Sequence, residues 1–134
     1  MILNHISTLD TLEKECIEIQ KDLNLTISDQ ATEALERGSH LAVQIARTGK
    51  MMCDAKYHQD QAKKRSIEGI AQGDRLLSLP ASVLNKYVDN CCEIENLIYL
   101  WCERCHRNCE KQWDWCRTIV SYAKEEMKLA GTQK

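Results

Sequence analysis

Phenylalanine is absent from this 134-residue chain, proline occurs once, and glycine only five times. Without phenylalanine, the core must be assembled from Leu, Ile, Ala, Cys and a few Trp and Tyr side chains. With so little proline and glycine, the chain lacks the punctuation of a turn-rich fold, and a small number of long helices is expected. Long apolar runs are missing too. No stretch approaches the roughly 18 consecutive apolar residues of a membrane span. The opening "MILNHISTLDTLEKE" carries neither a basic leader nor a sustained apolar segment, so no signal peptide and a cytoplasmic location are expected.

Cysteine is abundant instead, with eight residues. In a reducing cytoplasm these are expected as free thiols, metal ligands or redox groups and not as a disulfide framework. The length suits one domain, 1–134, with one core.

Net charge is −2 but unevenly spread. Residues 1–36 hold eight acids against two bases, residues 37–65 seven bases against two acids, and residues 66–134 ten acids against nine bases. An acidic first element should therefore lie on a basic second one. The bases Arg37, Arg47, Lys50, Lys56, Lys63, Lys64 and Arg65 spread around a helix and do not form one stripe, so nucleic-acid binding through Arg47, Lys50, Lys63, Lys64 and Arg65 is only an alternative reading.

Apolar periodicity gives an all-α bundle of one short and two long helices. Leu9, Leu12, Cys16, Ile19 and Leu23 recur at three- and four-residue steps, predicting a helix over about 8–24 with Ser7 or Thr8 as its cap. A second helix is expected over about 29–68, capped by Thr26 or Ser28. Ala31, Ala34 and Leu35, then the small residues Gly38, Ala42, Ala46, Gly49 and Cys53, form a packing seam along which another backbone can approach closely. Each helix-interior glycine costs about 1 kcal/mol against alanine, so close packing is expected to compensate. Residues 69–79 read as the connector, with Pro80 in the first turn of a helix over about 80–128. Such a helix would be roughly 70 Å long, and Asp89-Asn90 marks a bend or break in it.

The last helix carries two stripes. Cys91, Ile98, Cys102, Cys105, Cys109, Cys116 and Ile119 follow near-heptad spacing, and Tyr87, Ile94, Trp101, Asn108, Trp115 and Tyr122 recur every seventh residue. The cysteine stripe should meet the small seam of the second helix in a close antiparallel pair, with cysteine acting as a compact hydrophobe. A first helix of about 16 residues cannot cover what remains. We therefore expect a homo-oligomer, most simply a dimer, with Tyr87, Ile94, Trp101, Trp115 and Tyr122 as interface anchors.

The stretch "WCERCHRNC", residues 101–109, invites chemistry. Cys102, Cys105 and His106 complete the Cys-x-x-Cys-His pattern of c-type haem attachment, which needs an export route and leaves the other cysteines unused. Cys102, Cys105, His106 and Cys109 are the residues of an alternative zinc, iron–sulfur or redox reading. However, Cys102 and Cys109 lie about 10.5 Å apart along an unbroken helix, too far to share one tetrahedral metal. Glu103 and His106 match one Glu-x-x-His element of di-iron bundles, but the second copy is missing. Cys102 and His106, one turn apart, have no oxyanion hole beside them. Neither a cofactor nor catalysis is expected.

Two stretches, "ARTGKMMCDAKYHQDQAKK" and "RNCEKQWDWCRTIVSYAKEEM", resemble small uncharacterised helical proteins of bacteriophages and prophages over about half the chain. The resemblance implies a phage or mobile-element accessory role and carries no functional residues with it. Together these readings predict a non-enzymatic protein that binds a macromolecular partner, most simply a protein, through helix faces, without a membrane. Inhibition of a host defence protein is one concrete form of that role. A thiolate metal or redox protein and a nucleic-acid or recombination accessory factor are the alternatives.

Overall fold

A helix starts where something outside it takes up its free backbone N–H groups. In the computed structural model, which describes residues 5–73 and 78–132, Thr8 does this for the first helix: its Oγ1 accepts from the Thr11 amide at 3.2 Å. From there α1 runs over Leu9–Leu23, α2 over Ala31–Ala71, α3 over Ala81–Cys91 and α4 over Glu93–Thr132. No strand occurs among the described residues, so the protein is an all-α bundle. No helix among them is long and apolar enough to cross a membrane.

Three boundaries differ from the sequence reading. Ser28 accepts from the Gln30 amide at 3.1 Å and so closes a turn instead of capping a helix. α2 begins two residues later than expected, and Gln30 precedes it without a side-chain cap. At its other end α2 continues to Ala71, into the expected connector, whose residues 74–77 lie outside the described residues. The long last helix is divided, but at Cys92, whose φ of −111° and ψ of 25° leave the helical region. The Cys92 amide closes the preceding turn on the Asp89 carbonyl at 3.2 Å. Asn96 donates through Nδ2 to the same carbonyl at 3.3 Å, and its own amide reaches Cys92 O at 2.9 Å to restart the helix.

α2 and α4, 41 and 40 residues long, form an antiparallel pair. Its register runs through Gly38 facing Cys116, Gln44 facing Cys109, Thr48 facing His106, Gln59 facing Asn96 and Ser66 facing Cys92. On α4 the buried line is Ile98, Cys102, Cys105, Cys109 and Cys116. Cys91 is exposed, because the break turns it outward and Cys92 takes the inward position, its Sγ 3.8 Å from Ser66 Oγ.

On α2 the buried line is Ala34, Leu41, Thr48, Ala55 and Ala62, seven residues apart. Ala34 of the predicted seam is on this line, but from Gly38 onward that seam lies about one residue, or 100°, around the helix from it. Ala42, Ala46 and Cys53 are exposed, and Gly38 and Gly49 are half-buried at the margin. Polar Thr48 stands in the middle of the true seam. Its hydroxyl satisfies itself on the Gln44 carbonyl at 2.8 Å, so a polar residue packs inward at little cost.

α1 lies across this pair, packing Leu12, Cys16 and Ile19 into it. α3 folds back along the end of α2, where Leu84 and Val88 lie near Ile67 and Ile70.

Leu41 is fully buried, and Leu41→Ala is expected to lower the unfolding free energy by about 2–5 kcal/mol, measured by denaturant titration. Glycine behaves differently here. A Cβ on Gly49 would meet His106 Cε1 at 3.7 Å, and one on Gly38 would meet Cys116 Cβ at 3.6 Å. Both are ordinary contact distances, so close approach does not require these glycines. Gly49→Ala should therefore stabilise the protein by about 0.5–1 kcal/mol, and a loss in the same titration would show that the seam cannot take a methyl.

Candidate functional site

The features that set up the outer surface begin with how α1 is held, since α1 decides which parts of α2 and α4 remain uncovered. At its start, the Ser7 amide donates to Asp54 Oδ2 at 3.1 Å, and His58 Nε2 lies 2.6 Å from the Ser7 carbonyl. Asp54 is almost wholly buried and is paired with Lys50, whose ammonium also reaches the His5 carbonyl at 3.0 Å.

At the far end of α1, Arg37 makes a fork of two 2.8 Å bonds to Asp22. It also reaches the Asp22 carbonyl at 3.0 Å and Gln112 Oε1 at 3.1 Å. Gln112 in turn donates to the Leu23 carbonyl at 2.7 Å, and Gln44 donates to Asp22 Oδ2 at 3.0 Å. Between the two ends, Arg47 pairs with Glu15. Acids of the first element do pair with bases of the second, while the body of α1 rests mainly on α4.

Burial by itself would raise both carboxyls. For Asp22 the bonds and charge of Arg37 prevail, and for Asp54 the bonds from Lys50 and Ser7 prevail, so both sit below the usual carboxylate range.

The cysteines come together under α1. Cys16 Sγ lies 3.6 Å from Cys102 Sγ, and Cys105 Sγ is directed at the Cys16 carbonyl at 4.0 Å. Hydrogen bonding to its two neighbours, with burial, pushes the Cys16 thiol strongly up, while bonds from Cys16 draw Cys102 and Cys105 down. Cys109 donates to Gln44 Oε1 at 3.6 Å, and burial pushes it up to about 11.

The four residues of the metal reading do not converge. His106 points away from the thiols, with Nδ1 2.8 Å from Thr48 Oγ1 and Nε2 2.9 Å from Glu110. Among the described residues no group of three or more His, Cys, Asp or Glu side chains is placed to hold a metal ion. The nucleic-acid residues are divided as well. Arg47 and Lys50 are exposed but engaged with Glu15 and Asp54, and Lys64 and Arg65 are exposed beside half-buried Lys63 farther along α2.

What α1 and α3 leave bare is an outer apolar face on α4. Ile94, Leu97 and Leu100 are 65, 60 and 59 % exposed on successive turns, next to half-buried Trp101. The indole of Trp101 donates to Gln20 Oε1 at 3.0 Å, which fixes its ring. Leu97, Leu100 and Trp101 line a shallow cleft of about 410 Å³ edged by Glu103, Arg104 and Arg107. Glu103 and Arg107 pair at 2.7 Å. An apolar centre with a polar rim is the anatomy of a protein-binding surface.

Of the predicted anchors, Tyr87, Ile94, Trp115 and Tyr122 are exposed and Trp101 is partly covered by α1. Leu97 and Leu100 were outside both predicted stripes. A search for exposed apolar residues three apart, instead of seven, would have found them.

Because Asp22 and Asp54 titrate lower in the folded protein than in the unfolded chain, their contribution is complete at neutral pH and is lost as pH falls from about 4 through their folded values. The denaturant midpoint should drop steeply over that acid range. Asp54→Asn should flatten the drop, and an unchanged slope would remove Asp54 from the account. No family model matches this chain, and neither a curated protein nor a solved structure is similar to it.

Proposed function

We propose that the protein acts by binding rather than by catalysis, as a helical accessory protein of phage or mobile-element type that presents the outer face of α4 to a protein partner. Inhibition of a host defence protein is the concrete form of that role. The observation that carries the binding mode is the run Ile94, Leu97 and Leu100, each more than half exposed on one helix. Three neighbouring aliphatic side chains in water are unfavourable by about 25 cal/mol per Å² of apolar surface left uncovered, and a soluble surface seldom gathers them without an occupant. The resemblance of the two quoted stretches to phage proteins supports the accessory role.

A second copy of the chain is the first partner. The same face on two molecules can meet about a two-fold axis, extending along α4 to Trp115 and Tyr122. Native mass spectrometry and light scattering on reduced protein should give twice the 15.4 kDa chain mass. Leu97→Glu with Leu100→Glu should return it to one chain mass with helicity intact, since neither side chain is in the core. A wild-type protein of one chain mass at high micromolar concentration would remove self-association through this face.

A further inference from the structure

The buried thiols offer a second chemistry, independent of the outer face of α4. Cys16 is the only cysteine on α1, and it projects between two cysteines one turn apart on α4. Its sulfur stands 3.6 Å from that of Cys102, with both side chains fully buried. A disulfide needs the sulfurs at about 2.05 Å, a further closure of roughly 1.5 Å. A pocket of about 240 Å³ opens beside the cluster between the end of α1 and α4, with Cys105 in its wall. It is edged by Gln20, Trp101, Arg104 and Lys111 and gives a small oxidant a way to the edge of the thiols.

We propose that Cys16 and Cys102 form a reversible disulfide that latches α1 onto α4, with hydrogen peroxide or a small disulfide as the oxidant. With peroxide, the Cys102 thiolate attacks one oxygen and the O–O bond breaks, leaving a sulfenic acid on Cys102 and a hydroxide that takes up a proton to become water. The Cys16 sulfur then attacks the Cys102 sulfur. The S–S bond forms as the S–O bond breaks, and the departing hydroxide takes the Cys16 proton to give the second water. Two thiols lose two electrons and two protons, and one peroxide becomes two waters. A small disulfide accepts the same two electrons by exchange and leaves as two thiols.

The proton arrangement of the cluster suits this order. Hydrogen bonding to Cys102 and Cys105, with burial, pushes the Cys16 thiol up, and hydrogen bonding to Cys16 draws Cys102 down, which favours thiolate on Cys102 for the first step. The link would close a loop across the 86 residues that separate the two cysteines in sequence. A loop of that length removes a large share of the unfolded chain's freedom. α1 would then be fixed to the α2–α4 pair covalently, in addition to the Asp22 and Asp54 attachments at its ends.

The experiment uses the full chain, reduced and then treated with hydrogen peroxide or diamide, followed by alkylation, trypsin digestion without reductant and mass spectrometry. Trypsin cleavage after Arg104 places Cys105 in a separate tripeptide, and fragmentation of the 87–104 peptide separates Cys102 from Cys91 and Cys92 on the same peptide, so the pairings are distinguishable. The expected product is a monomer-internal link between the peptide of Cys16 and that of Cys102. It should be reversed by dithiothreitol, with the melting temperature of the oxidised form raised by on the order of 10 °C.

Exposed Cys53 and Cys91 are internal controls for oxidant dose. If they are oxidised while Cys16 and Cys102 remain alkylatable, the proposal fails. Dominant linkage of Cys16 to Cys105 overturns the pairing, and a Cys16–Cys102 link that leaves the melting temperature unchanged overturns the latch. Cys105→Ser should leave the link in place. No folding defect in a variant bears on the outcome, because the decisive measurement is made on the wild-type chain.

Discussion

Two helices of about 60 Å cannot be covered by one of about 22 Å, and most of this structure follows from that mismatch. α2 and α4 bury one stripe of each against the other along their length. α1 closes only the middle of one side of the pair, and α3 only one end. Ile94, Leu97 and Leu100 are left in solvent because no other helix among the described residues reaches them, and the proposed binding function is the consequence of that geometry.

Because α1 is short, its position depends on its attachments. A 15-residue helix is marginal by itself. It is held here by Leu12, Cys16 and Ile19 in the core and by two polar attachments that use buried or partly buried carboxylates. Each attachment joins α1 to both long helices or to a backbone group, so shifting α1 would strand a charge in a poorly solvated place. That penalty selects one placement more sharply than apolar contact alone would. The cysteines serve the same end: their small volume lets α1 sit close to α4, and this is why Cys16 and Cys102 come within 3.6 Å.

Much of the fold was legible in the sequence. The three- and four-residue recurrence from Leu9 to Leu23 marks α1, and the near-heptad run from Ile98 to Cys116 marks the buried face of α4, because helical geometry projects directly onto residue spacing. The α2 face was less legible. Gly38, Ala42, Ala46 and Gly49 look like a seam by size, but the inward line passes through Thr48 and ends beside Gln59, and these read as surface residues. Nothing local reveals that the Thr48 hydroxyl turns back on its own helix or that Gln59 meets Asn96 at 2.7 Å. The break at Cys92 was similarly displaced from Asp89-Asn90, since it is set by the Asn96 side chain reaching back to Asp89.

The sequence by itself determined the helical class, the cysteine-lined face and the attraction of an acidic α1 for a basic α2, because these rest on periodicity and charge within single segments. Only the tertiary structure decided which carboxylate meets which guanidinium, which thiol faces which, and which apolar residues stay in water. Those outcomes depend on the register and rotation of helices distant in sequence, where a difference of one residue turns a side chain by about 100°.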